Sequence, residues 1–84
     1  MSIEEIEKFL RNASLGKSRV QISFKDRQSI QGIFIKLDDF ASLKSKNLWR
    51  IVSESRIAEY NTSKSNNLAR IFNGIAMTRL ALVV

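Results

Sequence analysis

Val20 to Leu43 reads VQISFKDRQSIQGIFIKLDDFASL, and the fold expected of this chain follows from how its apolar residues are spaced. Val20, Ile22 and Phe24 alternate with Gln21, Ser23 and Lys25, which is the period of a half-buried strand. Asp26-Arg27-Gln28 interrupts the alternation and marks a turn. Ile30 to Leu37 then runs almost continuously apolar, with β-branched and aromatic residues, as a central strand does. Gly32 inside that run signals a close backbone approach or a sharp bend, which a small barrel needs in order to close. Phe40 to Ser45 reads as a third strand with Ala41 and Leu43 turned inward.

Toward the N-terminus, Ser2 to Asn12 reads as a helix. Ser2 is placed as N-cap and Glu5 three residues later completes a capping box. Acids fill the first turn and Lys8 and Arg11 follow, as the helix dipole favours. Ile3, Ile6, Phe9 and Leu10 share one face, which suits a helix laid over the open end of a barrel.

Toward the C-terminus, Leu48 to Val52 is a further apolar run and holds the only Trp. Arg56 to Asn61 reads as a short fourth strand or the far arm of a hairpin. Asn61 to Asn67 is the most polar segment and reads as a loop. Leu68 to Phe72 is apolar again. Asn73-Gly74 is the strongest turn signal, because both residues tolerate positive φ. Beyond it Met77, Leu80, Leu82 and Val84 are apolar. The last strand ends near Asn61 in one register of the chain and near Leu82 in another; the second is preferred, since the first leaves a long apolar tail outside the fold. The chain is thus expected to be one mostly β domain over residues 1–84: an N-terminal helical segment at 1–15, then a small five-stranded barrel at 18–84.

The chain has 84 residues, no Cys, no His and a net charge of +6. A domain this small buries a modest core, and without Cys or His neither disulfides nor the usual metal ligands can staple it. Association with other copies is the remaining common route to stability. The missing His also removes the commonest general base. Asp38-Asp39 is an acidic pair, and it reads as a turn rather than a catalytic dyad, since no convergent acid or base accompanies it. The expectation is a non-catalytic protein with no cofactor and no metal. The positive balance points to a polyanionic partner such as nucleic acid. Acids near the N-terminus oppose a signal peptide, and no apolar stretch is long enough to span a bilayer. A cytoplasmic protein without a membrane partner is expected.

Val20-Ile22-Phe24, Asp26-Arg27, Gly32, Asp38 and Leu43 together resemble the first motif of the Sm-like proteins, the family that includes bacterial Hfq. The run from Ile30-Gln31-Gly32 to Leu37-Asp38-Asp39-Phe40 is especially similar to Hfq. Ile71-Phe72-Asn73-Gly74, followed by Met77 and Leu80, resembles the second Sm motif. The resemblance implies a strongly bent, five-stranded, SH3-like barrel that joins other copies through its edge strands into a homo-oligomeric ring. It also implies single-stranded RNA held around the pore by two loops. One comprises Lys36, Asp38, Asp39, Phe40 and Ser42, with Phe40 stacking on a base. The other comprises Arg70, Phe72, Asn73 and Gly74. The chain departs from the family pattern at Ser42, where Asn is usual, and at Asn73, where Arg is usual. Asp39 stands where Hfq has Gln, and Glu54-Ser55 stand where Hfq has a Lys-His pair.

Several groups keep two readings. Trp49-Arg50 is either a stacking platform or a core or interface Trp. Arg70 and Arg79 either contact phosphate or are solvated edge charges. Lys36, Lys44 and Lys46 form a basic face or blunt a strand edge. The alternative to an RNA-binding protein is a barrel of the same kind serving protein interaction or assembly without nucleic acid.

Overall fold

The computed structural model describes residues 1–83; Val84, the last residue of the expected barrel, lies outside the described residues. An N-terminal helix α1 (Ile3–Leu10) precedes a five-stranded antiparallel sheet: β1 (Val20–Phe24), β2 (Ile30–Phe34), β3 (Leu48–Ser53), β4 (Ala69–Asn73) and β5 (Met77–Leu82). Two further helices, α2 (Phe40–Ser45) and α3 (Glu54–Ser63), lie between β2 and β3 and between β3 and β4. The strand order is β4-β3-β2-β1-β5. Among the described residues no ladder joins β4 to β5, so the sheet is open, with those two strands as its edges.

α1 starts as its sequence requires. The Ser2 hydroxyl accepts from the Glu5 N–H at 3.2 Å, and the Glu5 carboxylate accepts from the Ser2 N–H at 2.8 Å. That bond to the Ser2 backbone holds the Glu5 carboxyl below its ordinary value. Ile6 and Leu10 are buried, and Ile3 and Phe9 pack at their flank.

The sheet is apolar on both faces. Val20, Ile22, Phe34, Trp49, Ile51, Met77 and Leu80 pack with Ile6 and Leu10 of α1 on one side. Ile33, Ile35 and Val52 form a smaller cluster on the other, covered by Leu37, Ile57, Tyr60 and Ala69. This explains the unbroken apolar run of β2: its odd and even residues serve two different cores. Gly32 sits between them. A Cβ there would lie 2.7 Å from the Val52 carbonyl oxygen and 2.8 Å from Ile51 Cγ2, so the missing side chain is what lets β3 approach. On the other side of β1 the register with β5 shifts between Ser23 and Phe24, an irregularity that increases local bend. The curvature brings the Phe24 ring of β1 to 5.8 Å from the Phe72 ring of β4, although three strand junctions separate them in the sheet.

Three expectations are corrected. Phe40 to Ser45 is helical, not a strand. Phe40, Leu43 and Lys44 are half-buried while Ala41, Ser42 and Ser45 are exposed, a three-to-four-residue period that a strand cannot present. Arg56 to Asn61 lies inside α3, where Ile57 and Tyr60 at helical spacing cover the second cluster. The Asn73-Gly74 turn exists, but neither residue takes positive φ. Instead the Asn73 side chain accepts from the Ile75 N–H at 2.9 Å and opens a 3₁₀ turn, Gly74–Ala76.

Gly74 is needed for space. A Cβ at this position would collide with Asn47 Oδ1 and come within 2.6 Å of Ile6 Cδ1. Asn47 is buried and left-handed at φ +60°. Its Oδ1 accepts from Trp49 Nε1 at 2.8 Å, its Nδ2 donates to the Met1 carbonyl at 3.0 Å, and its own carbonyl accepts from the Gly74 N–H at 2.8 Å. The Met1 ammonium donates to the carbonyls of Gly74 and Met77 at 2.8 and 2.6 Å.

Gly32→Ala and Gly74→Ala should each lower unfolding free energy by about 2 kcal/mol or more, because backbone or a bonded amide has to move. Gly16→Ala, at φ +81° with nothing within 4 Å of the added carbon, should cost about 1 kcal/mol through backbone strain alone. Urea denaturation of the three variants measures the difference; equal losses would contradict the steric account.

Candidate nucleic-acid interface

Of the residues expected to bind RNA, Lys36, Asp38 and Asp39 line one cleft and Arg70, Phe72 and Asn73 another, while Phe40, Ser42 and Gly74 line neither. The turn between β2 and α2 carries Lys36, Asp38 and Asp39, and Phe40 opens α2. Lys36, Leu37, Asp38 and Asp39 line a shallow cleft of about 500 Å³ with Arg50 of β3 and Asn66. Asp39 is the residue before α2, yet its carboxylate does not cap that helix. It faces Arg50 instead, accepting from Nη2 at 2.6 Å and from Nε at 3.3 Å. The fork geometry is the strong form of such a pair. The hydrogen bond from Arg50, reinforced by its charge, holds the Asp39 carboxyl below the usual carboxylate range, and Asp39 in turn raises the Arg50 guanidinium. An acid beside an expected RNA path is thereby neutralised within the chain.

Phe40 is half-buried, with its ring 6.0 Å from that of Trp49 in an edge-on arrangement. The Lys36 and Lys44 ammonium groups stand 5.6 and 6.0 Å from the Phe40 centroid, a cation–aromatic cluster at the protein surface. Lys44 also pairs with Glu7 of α1. The hydrogen bond and charge of Lys44 lower the Glu7 carboxyl. Ser42 is exposed on α2, on the side away from the core. Trp49 is 2 % exposed, so it is a core residue and not a stacking platform.

The second cleft, of about 600 Å³, collects Arg70, Phe72 and Asn73 of β4. Gly74 is buried against Asn47 and Ile6 and does not line it. Phe24 and Arg27 enter from the β1 end and the turn that follows, and Ser55 and Arg56 from the start of α3. The Arg27 guanidinium lies 5.2 Å from the Phe24 centroid and 5.8 Å from that of Phe72. Arg27 and Arg56 were not expected at this site. Arg27 read only as a turn residue, and Arg56 was assigned to a strand; the helix that presents it depends on packing two sheet faces. Arg79 lies elsewhere, in a small cleft with Gln21 and Ser23.

Among the described residues no group of three or more carboxylates, His or Cys is placed to hold a metal ion, and no helix is long and apolar enough to cross a membrane. No protein-family model, characterised protein or solved structure matches this chain.

The folded Asp39 carboxyl titrates below its unfolded value, so the pair stabilises the fold fully above the ordinary carboxylate range. That contribution is lost as pH falls through the lower folded value. Carboxyl chemical shifts followed by NMR should give Asp39 a midpoint below its ordinary 3.8, and Arg50→Ala should return it there. A midpoint unmoved by that substitution would detach the shift from Arg50.

Proposed function

We propose that the chain is a non-catalytic, single-stranded RNA-binding subunit of the Sm-like kind. Its bent sheet works as a small SH3-like barrel, and copies join edge to edge into a ring. The observation that carries this reading is the pair of free edges on one sheet. β4 and β5 each leave a row of backbone donors and acceptors unpaired, and each exposes a large apolar side chain, Ile71 at 48 % and Leu82 at 45 %. Such edges invite pairing with another chain. Because the two edges belong to different strands, the contact is head to tail, which closes into a ring when the rotation allows.

The RNA part is supported by the charge of +6 and by cations set beside aromatic rings at both expected loops. Lys36 accompanies Phe40, and Arg27 accompanies Phe24 and Phe72. Single-stranded nucleic acid is held by this combination of backbone charge and base stacking. The same apolar edges favour a second reading, an assembly module without nucleic acid.

Mixed single-stranded RNA should bind at low salt, with log K falling against log salt by about 0.7 for each phosphate contacted. Lys36→Ala combined with Arg70→Ala should reduce both the affinity and that slope. No affinity at low salt leaves the assembly module. In sedimentation velocity the protein should run well above its 9.6 kDa monomer mass, and Ile71→Lys with Leu82→Lys should return it to the monomer. A monomeric parent at micromolar concentration sinks the ring.

A further inference from the structure

We propose that the cleft between the β1–β2 turn, the start of α3 and β4 is a nucleoside-phosphate site. Arg56 and Arg70 hold a dianionic phosphate and the Arg27 plane stacks on the base. The site lies within one chain and does not depend on ring formation.

Charge comes first. Arg27, Arg56 and Arg70 all line this cleft, and no carboxylate does. Arg56 shares its charge with Glu59 at 3.6 Å, in an i,i+3 pair whose side chains are more than half exposed. Glu54, at the same end of α3, pairs with Arg19. Asp26 precedes Arg27 in the chain and makes no ion pair among the described residues. Three guanidiniums facing one partly shared acid leave a surplus of about two positive charges. A phosphate monoester carries about −1.5 to −2 at neutral pH; an internal phosphodiester carries one negative charge. The cleft therefore matches a terminal or free phosphate better than a link within a strand. Guanidinium also offers the planar, two-pronged donor geometry that phosphate oxygens accept.

Shape comes second. The volume of about 600 Å³ is within the usual range for small-ligand sites. The Arg27 guanidinium lies over the Phe24 and Phe72 rings, and the residue is exposed. Arginine planes stack bases as aromatic rings do, so a base can continue the stack over its outward side. Ser55 and Asn67 at the wall supply neutral hydrogen-bonding groups for a sugar.

Adenosine monophosphate, adenosine and inorganic phosphate, each titrated calorimetrically into the full chain, test the site. The nucleotide should bind about tenfold or more tightly than either fragment, since each lacks one of the two anchors. Arg56→Gln with Arg70→Gln should cost about tenfold or more in nucleotide affinity. Glu59→Gln, which frees Arg56, should tighten binding. All three side chains are exposed, and unchanged melting temperatures verify the fold. Nucleotide affinity unaffected by the double substitution, or adenosine binding as well as its phosphate, overturns the proposal. Inorganic phosphate matching the nucleotide overturns base stacking on Arg27.

A tetranucleotide with and without a 5′-phosphate separates the sources. A preference of about tenfold for the phosphorylated form assigns the site to RNA ends, and none assigns it to free nucleotides; either upholds the site. A chain that binds the nucleotide but no mixed RNA keeps this site and loses the RNA reading, and the converse loses only the site.

Discussion

Asn47 holds together parts of the chain that are far apart in sequence. Its side-chain oxygen takes the Trp49 indole proton and its amide reaches the Met1 carbonyl, while its backbone carbonyl accepts from Gly74. Asn47 and the Trp49 indole are buried, so their polar groups would be costly if left unpaired. The result is a polar knot at the junction of the chain start, the head of β3 and the β4–β5 turn. Gly74 is glycine because the knot occupies the space its side chain would fill. Trp49, the largest residue of the core, is oriented by the same bond. The other groups packed near it, Ile6 of α1 and Phe34 of β2, inherit that position.

Around this knot the sheet is bent and not flat. Gly32 admits β3 closely on one side of β2, and the register shift at Ser23 and Phe24 turns β1 relative to β5. The two faces are then covered unequally, by α1 on the inner side and α3 on the outer. α1 packs against Met77 and Leu80 of β5 and α3 against Ala69 of β4, but Ile71 and Leu82 on those strands stay exposed. What remains uncovered is therefore not arbitrary. It is the rims of the sheet, with Ile71 and Leu82, and the cleft where the bend brings β1 and β4 together.

Electrostatics sorts the basic residues. Arg50 is committed to Asp39 and Lys44 to Glu7, so these cations organise the β2–α2 turn and its contact with α1. Exposed pairs of this sort add little to stability on their own, but they remove charge from the surface that a partner meets. Arg27 and Arg70 make no ion pair among the described residues, and both face the cleft lined by Phe24 and Phe72. With Arg56 they place three guanidiniums in one cleft that no carboxylate lines.

The sequence by itself determined the N-terminal helix, because the Ser2–Glu5 capping box and the stripe Ile6, Leu10 are local signals. Alternation marked β1, and continuous apolarity with an interior glycine marked β2, since a residue pattern reports directly on which faces are buried. It did not reveal α2 or α3. α2 has only six residues and α3 is largely polar, and neither has a side-chain cap, so their helical state depends on what they cover: Ile57 and Tyr60 over Ile33 and Val52, and Phe40 against Trp49. The candidate site divides in the same way. Phe72 was singled out by its motif and Arg70 as a charge beside the Asn73-Gly74 turn. Arg27 and Arg56 join them only because the sheet bends and α3 forms, and contacts between residues so distant in sequence leave no periodic trace in it. Only tertiary packing decided that Gly74 serves space and not positive φ, and that the Asp39 carboxylate pairs with the Arg50 guanidinium.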